Sequence, residues 1–208
     1  MRLGIQEPSE VSGRLWQRVM RRLTRTHQGR RIRQAARHPG ELAARVARAQ
    51  TILFVCLGNI IRSAFAAELL RARSLGRPDL QVRSAGLDAT PDRPADPTAV
   101  QCARRFGVDL SVHRTRRLDR SDIEEADVLL AMEIDHVVEI LRLFPQYRHK
   151  VYLFGCLTDE NPLDVADPVY APKDVFEACF ERIDRGVRRI VEMLPPASRA
   201  WAPTTEVG

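Results

Sequence analysis

The residue types best suited to chemistry in this 208-residue chain are a cysteine and an arginine six positions apart, Cys56 and Arg62. They lie in the segment Ile52-Leu53-Phe54-Val55-Cys56-Leu57-Gly58-Asn59-Ile60-Ile61-Arg62-Ser63. A cysteine is a strong nucleophile once nearby positive charge favours its thiolate. An arginine presents a planar fork that binds two oxygens of a phosphate. The pair therefore suits attack on phosphorus with a phosphocysteine intermediate. Spacing alone is a weak signal in so Arg-rich a chain, and Cys179 with Arg185 has the same spacing. Cys179, however, falls within an apolar helical stripe, with no strand before it and no glycine between it and Arg185. It reads as a small buried hydrophobe.

What singles out Cys56 is the pair of elements that must position it. Thr51–Val55 is an apolar, β-branched run suited to a strand buried on both faces. Ser63–Ser74 reads as a helix. In a parallel α/β sheet, ligands bind at the carboxyl ends of strands, where a loop entering a helix turns its amides and the helix dipole toward an anion. Loop amides, helix dipole and Arg62 all favour thiolate over thiol at Cys56. The backbone amides of Leu57, Gly58, Asn59, Ile60, Ile61, Arg62 and Ser63 are the expected phosphate cradle. Gly58 and Asn59 are the residues able to take the positive φ of a tight turn. Ser63 can offer its hydroxyl to the sulfur.

The same alternation continues downstream. Leu80–Arg83, Asp127–Ala131 and Val151–Phe154 read as strands; Thr98–Phe106, Asp135–Leu143 and Lys173–Leu194 read as helices. A Gly/Pro/Asp-rich loop spans Gly86–Pro97. The predicted fold is α/β in three layers, a four-stranded parallel sheet with helices on both faces.

Composition bounds the rest. Residues 1–50 hold 12 Arg and 3 Glu, so the net charge of +6 belongs to this stretch and the remainder is slightly acidic. Leu15, Trp16, Val19, Met20 and Leu23 recur at helical spacing among arginines, a basic amphipathic pattern. A second helix is expected from Pro39, with Leu42, Val46 and Ala49 on one face. The expected organisation is an Arg-rich helical extension over 1–50, a catalytic domain over 51–195 and a flexible tail over 196–208. No apolar run approaches the ~20 residues of a membrane span. The N-terminus lacks the apolar core of a secretory signal, so the cytoplasm is the expected compartment. Four scattered cysteines argue against a disulfide framework or a zinc site.

The loop Val55-Cys56-Leu57-Gly58-Asn59-Ile60-Ile61-Arg62-Ser63 resembles the phosphate loop of the low-molecular-weight protein tyrosine phosphatases. The likeness extends to Ser84-Ala85-Gly86, Pro94-Ala95-Asp96-Pro97, Gly107–Arg114, Asp127–Met132 with His136, and Asp167-Pro168, covering about 51–194. This resemblance implies a bacterial phosphotyrosine hydrolase in which Cys56 is the nucleophile, Arg62 stabilises the transferring phosphoryl group and Asp167 is the general acid. Asp164 is the nearest rival for that last role. The resemblance also implies that Asn59, Ser63, Ser84 and His113 brace the loop, and that Ile60, Val169 and Tyr170 line the substrate slot. No metal or cofactor is required. The implied partners are a phosphotyrosine protein, a bacterial tyrosine kinase among the candidates, and phosphate or another oxyanion in the loop.

Three departures from the family pattern matter. Ile61 stands where relatives often carry a second cysteine. Ala64 replaces a helix-opening proline, and Val169 replaces an aromatic. Ile60 is the residue of the tyrosine-directed enzymes, whereas related arginine phosphatases carry Thr there. Two other functions compete: an arsenate reductase-like thiol relay, disfavoured by the wide cysteine spacing, and an adaptor using the basic extension. That extension suits a membrane surface or protein partner better than nucleic acid.

Overall fold

The computed structural model describes residues 39–158 and 160–195; the 15–23 helix and the tail from 196 lie outside them. In chain order the elements are α1 (Pro39–Val46), β1 (Thr51–Cys56), α2 (Arg62–Arg73), β2 (Gln81–Gly86) and α3 (Pro97–Ala103). These are followed by α4 (Arg120–Glu125), β3 (Val128–Ala131), α5 (Ile134–Leu143), β4 (Val151–Leu153) and α6 (Lys173–Met193). The strands form one sheet in the order β2-β1-β3-β4 with every pairing parallel.

β1 is central, and its alternating side chains separate two cores. Ile52, Phe54 and Cys56 join one face with Leu42, Val46, Phe65, Leu70 and Ile183; Leu53 and Val55 join the other with Ile123, Val137 and Ile140. Helices α1, α2, α3 and α6 thus contribute to the first face, and α4 and α5 to the second. On the first face Phe65 of α2 stacks on Phe180 of α6, ring centroids 3.9 Å apart and nearly coplanar. Gly186 leaves room for Phe154, since a Cβ there would fall 2.4 Å from the ring.

The structure refines several boundaries. β2 runs to Gly86 rather than stopping at Arg83, which carries Ser84-Ala85-Gly86 to the same sheet edge as Cys56, with Cys56 in register with Gly86. The expected Thr98–Phe106 helix divides into α3 and a 3₁₀ turn over Arg104–Phe106. α4 has no counterpart in the sequence reading, because six residues leave too little periodicity. Its start is nevertheless written in Asp119 and Asp122, which form a reciprocal capping box.

α1 begins at Pro39 as expected, but it belongs to the domain's packing. Leu42, Val46 and Ala49 are buried in the core shared with α6, and Arg45 donates to the Tyr152 hydroxyl at 3.0 Å. Asp127 also ties the approach to β1, accepting from the amides of Gln50 and Thr51 at 2.8 and 2.9 Å. Among the described residues no helix is long and apolar enough to cross a membrane.

Candidate active site

Cys56 ends β1 and Arg62 opens α2, so the loop between them connects a strand's carboxyl end to a helix N-terminus. The turn is made by Asn59 alone, at φ +56°; Gly58 does not take positive φ. Asparagine tolerates this conformation when its short side chain finds local partners, and that of Asn59 finds three, with a further one at its carbonyl. Its side-chain amide nitrogen donates to Ser63 Oγ at 2.9 Å and Ser84 Oγ at 3.0 Å. Its Oδ1 accepts from the Arg116 amide at 2.9 Å, and its carbonyl accepts from His113 Nε2 at 2.8 Å. Fully buried Asn59 is therefore the hub that ties the loop to β2 and to the 113–116 segment.

Ser84 and His113 both contact Asn59, one at its side chain and the other at its carbonyl. Because the Asn59 carbonyl can only accept, His113 must donate from Nε2, which makes Nε2–H the tautomer. Burial pushes its pKa below the ordinary histidine value, against the opposing pull of that hydrogen bond. The ring is thus kept neutral near pH 7.

The sulfur of Cys56 is buried and receives two contacts from the loop. The Asn59 amide donates to Sγ at 3.2 Å, and Ser63 Oγ lies 3.0 Å away. Ser63 Oγ accepts from Asn59, and its own proton can go to the sulfur or to the Ala85 carbonyl 3.4 Å away.

Arg62 is 1% exposed. Its Nη1 donates to Glu133 Oε1 at 2.5 Å and to the Val165 carbonyl at 2.7 Å, and its Nη2 donates to Asp167 Oδ2 at 2.6 Å. Burial pulls its pKa down. The negative charges of Cys56, Asp167 and Glu133, with the hydrogen bond to Glu133, more than offset this and hold it above the ordinary value.

Asp167, not Asp164, stands against Arg62. Asp164 instead accepts from the Ile134 amide at 2.7 Å at the start of α5. Glu133 was missing from the sequence reading. Its signal lay in Asp127–His136, where the run entering α5 places a carboxylate just beyond β3, on the sheet's carboxyl edge.

The substrate-lining residues are not all together. Ile60 is half-buried beside a groove of about 500 Å³ shared with Gly58, Asp88, Thr90, Arg93, Pro94, Ala95, Asp96 and Pro97. Val169 turns inward against the core, whereas Tyr170 is fully exposed at φ +62°. Leu57 is largely exposed and Ile61 buried. Cys179 lies only partly out of solvent on α6, its thiol 3.7 Å from the Ala166 carbonyl. Burial, against the pull of Arg62, pushes that thiol up to about 12.

Residues 51–199 match the family model described as low molecular weight phosphotyrosine protein phosphatase. The chain belongs to this family. It is 34% identical over 152 residues to Etp of Escherichia coli K12, named a low molecular weight protein-tyrosine-phosphatase, covering 73% of this chain and 92% of Etp. Among solved structures it resembles the tyrosine phosphatase Wzb of Escherichia coli K30 in complex with sulphate, at TM-score 0.64 and 31% identity over 69% of this chain and 97% of that one. The YwlE arginine phosphatase of Geobacillus stearothermophilus superimposes equally well, at TM-score 0.64 and 31% identity over 69% and 91%. Fold likeness alone therefore does not separate the two substrate classes.

Proposed function

We propose that this phosphatase hydrolyses phosphotyrosine in proteins through a phosphocysteine formed on Cys56. The observation that carries the reading is one cluster in which the buried Cys56 Sγ receives the loop contacts while buried Arg62 is held against the solvent-reached Asp167. In the first step Sγ attacks phosphorus and the bond from phosphorus to the phenolic oxygen breaks. Asp167 gives its proton to that oxygen as it leaves. Arg62 and the loop amides balance charge on the equatorial oxygens. In the second step Asp167 takes a proton from water as the water attacks phosphorus, and the phosphorus–sulfur bond breaks. The sulfur departs as thiolate, stabilised by the Asn59 amide and Ser63.

Arg62 contacts Asp167 directly, so a bound phosphoryl oxygen replaces that contact and the carboxyl turns toward the leaving group. Ile60 favours tyrosine over arginine as the phosphorylated residue, because it adds apolar surface beside the loop that suits a ring. An autophosphorylated bacterial tyrosine kinase in the cytoplasm is the substrate type this reading favours.

The test is hydrolysis of a phosphotyrosine peptide and a phosphoarginine peptide by wild type, Cys56→Ser and Asp167→Asn. The expected result is preference for phosphotyrosine, loss of turnover in Cys56→Ser and a fall of about 10²–10⁴-fold in Asp167→Asn. Turnover that survives Cys56→Ser refutes the mechanism; preference for phosphoarginine refutes the substrate assignment.

A further inference from the structure

Among its described residues, the segment that bears Asp167 has no regular secondary structure between the 3₁₀ turn Phe154–Leu157 and α6, yet it must deliver a carboxyl to within about an ångström. Two sets of contacts hold it. On the sheet side, the Val165 amide donates to the Met132 carbonyl at 2.8 Å, and the Val165 carbonyl accepts from Arg62 at 2.7 Å. On the helix side α6 reaches it through Cys179, Arg182 and Arg185, and Arg182 is the buried one, with three donors on the segment.

Arg182 is 9% exposed, and all three of its nitrogens are used on this segment. Nη1 donates to the Asp164 carbonyl at 2.7 Å, Nη2 to the Pro162 carbonyl at 2.5 Å, and Nε to Thr158 Oγ1 at 3.2 Å. Glu160 Oε2 is 3.5 Å from Nε, but Arg185 already pairs with Glu160 at 2.5 Å. Arg182 is thus directed mainly at neutral backbone and hydroxyl acceptors. The segment also lies flat on Gly155, where an added Cβ would fall 1.6 Å from the Leu163 carbonyl. The chain is held at Thr158, Pro162, Asp164 and Val165, and Asp167 follows two residues later.

We infer that Arg182 is a positioning residue for the general acid, acting on the reaction through the 158–167 segment without touching substrate. A guanidinium is required because three acceptors are spread around one plane; an ammonium has a single donor centre. Without the fork, the Pro162 and Asp164 carbonyls lose buried partners and the segment relaxes. The consequence falls mainly on protonation of the leaving oxygen, because the 56–63 loop keeps its bonds to Ser84, His113 and Arg116 and Arg62 keeps Glu133 when the Val165 carbonyl shifts.

The inference rests on Asp167 being the acid, and the test separates the two. kcat/KM is measured over aryl phosphates whose phenols run from acidic nitrophenols to tyrosine-like phenols of pKa about 10. The enzymes compared are wild type, Asp167→Asn, Arg182→Met, Arg182→Lys and the Arg182→Met/Asp167→Asn double variant. Poor leaving groups need the acid and good ones do not, so Asp167→Asn steepens the dependence on leaving-group pKa. Arg182→Met is expected to lose about 10–50-fold on the tyrosine-like leaving group and less than about threefold on the nitrophenol, with Arg182→Lys intermediate. In the double variant the two effects do not add. An equal loss across the series, or none, in an Arg182 variant overturns the inference while leaving the acid assignment intact. If Asp167→Asn itself gives no steepening, the acid assignment falls and the inference with it. Should Arg182→Met not fold, by circular dichroism and thermal melting, Arg182→Lys carries the comparison alone.

Discussion

Gly86 is pressed against the catalytic loop from the neighbouring strand. A Cβ at this position would lie 2.6 Å from the Leu57 carbonyl oxygen, 2.9 Å from the Asn59 amide nitrogen and 2.8 Å from Ala89 Cβ. A carbon settles against a carbonyl oxygen at about 3.3–3.6 Å even in a favourable C–H···O contact. In Gly86→Ala the Leu57 carbonyl must therefore retreat by roughly 0.7–1 Å, and it is held in place by the Asp88 amide at 2.9 Å. Two of the atoms met are backbone of the phosphate loop, so no side-chain rotation relieves the clash. Displacing catalytic groups by about 1 Å costs on the order of 10²-fold in rate, which is about 2.7 kcal/mol of transition-state stabilisation. Overpacking itself costs about 1–3 kcal/mol of folding stability, or roughly 2–4 °C in Tm per kcal/mol for a chain of this size. The assay is kcat/KM on a phosphotyrosine peptide beside a thermal melt and the competitive inhibition constant of inorganic phosphate. A folded variant with kcat/KM down about 100-fold and weaker phosphate binding is expected. Activity within threefold of wild type, with an unchanged melt, would show that the loop does not depend on Gly86 and refute the reasoning.

Three further outcomes are expected. His113 has a depressed pKa in the fold, so the unfolded chain binds its proton first. Its stabilising contribution is present above the unfolded value of 6.5 and is lost as pH falls below it toward the folded value. Urea melts from pH 7 to pH 5 should lose more stability in wild type than in His113→Gln, and parallel curves would contradict this. Hydrogen peroxide should inactivate the enzyme in a way that reductant reverses by less than about a fifth, because Ile61 supplies no thiol beside Cys56 and the Cys179 thiol is pushed up to about 12 and stays protonated. Full recovery with dithiothreitol sinks that expectation. A chain beginning at residue 51 should melt several degrees below one beginning at 39. Burial of Leu42 and Val46 contributes about 3–6 kcal/mol at most, and equal melting points would show that α1 is dispensable.

Much of the site was legible because its chemistry is local in sequence. Strand, turn and helix around Cys56–Arg62 lie within about two dozen residues, and each leaves a pattern of its own. Asp167-Pro168 was found only through family resemblance, since an Asp-Pro pair by itself marks many turns. What escaped notice acts across the chain. Glu133 meets Arg62 from 71 residues away and Arg182 reaches Thr158 from 24; such pairs leave no periodic trace. Gly86 looked like an ordinary loop residue until β2 proved to extend to the edge where Cys56 sits. The turn was expected of Gly58 or Asn59, and only the arrangement of Ser63, Ser84, His113 and Arg116 decides for Asn59. The boundary drawn at 51 followed the change in charge, yet packing does not follow charge: α1 lies on the Arg-rich side of that line and in the core.

The position of Arg62 between Glu133 and Asp167 has a bearing on which anions the pocket admits. Its guanidinium is already neutralised from within, so an incoming ion gains little from bare attraction. A chloride ion, with a single spherical charge, cannot replace the directed bonds it would disturb. A tetrahedral oxyanion brings several acceptors, enough to take over from Asp167 on one side of the fork while still meeting the loop amides. On the proposed mechanism such a ligand is selected by shape as well as charge, and the Asp167 carboxylate it displaces from Arg62 must take up a proton before it can serve as acid.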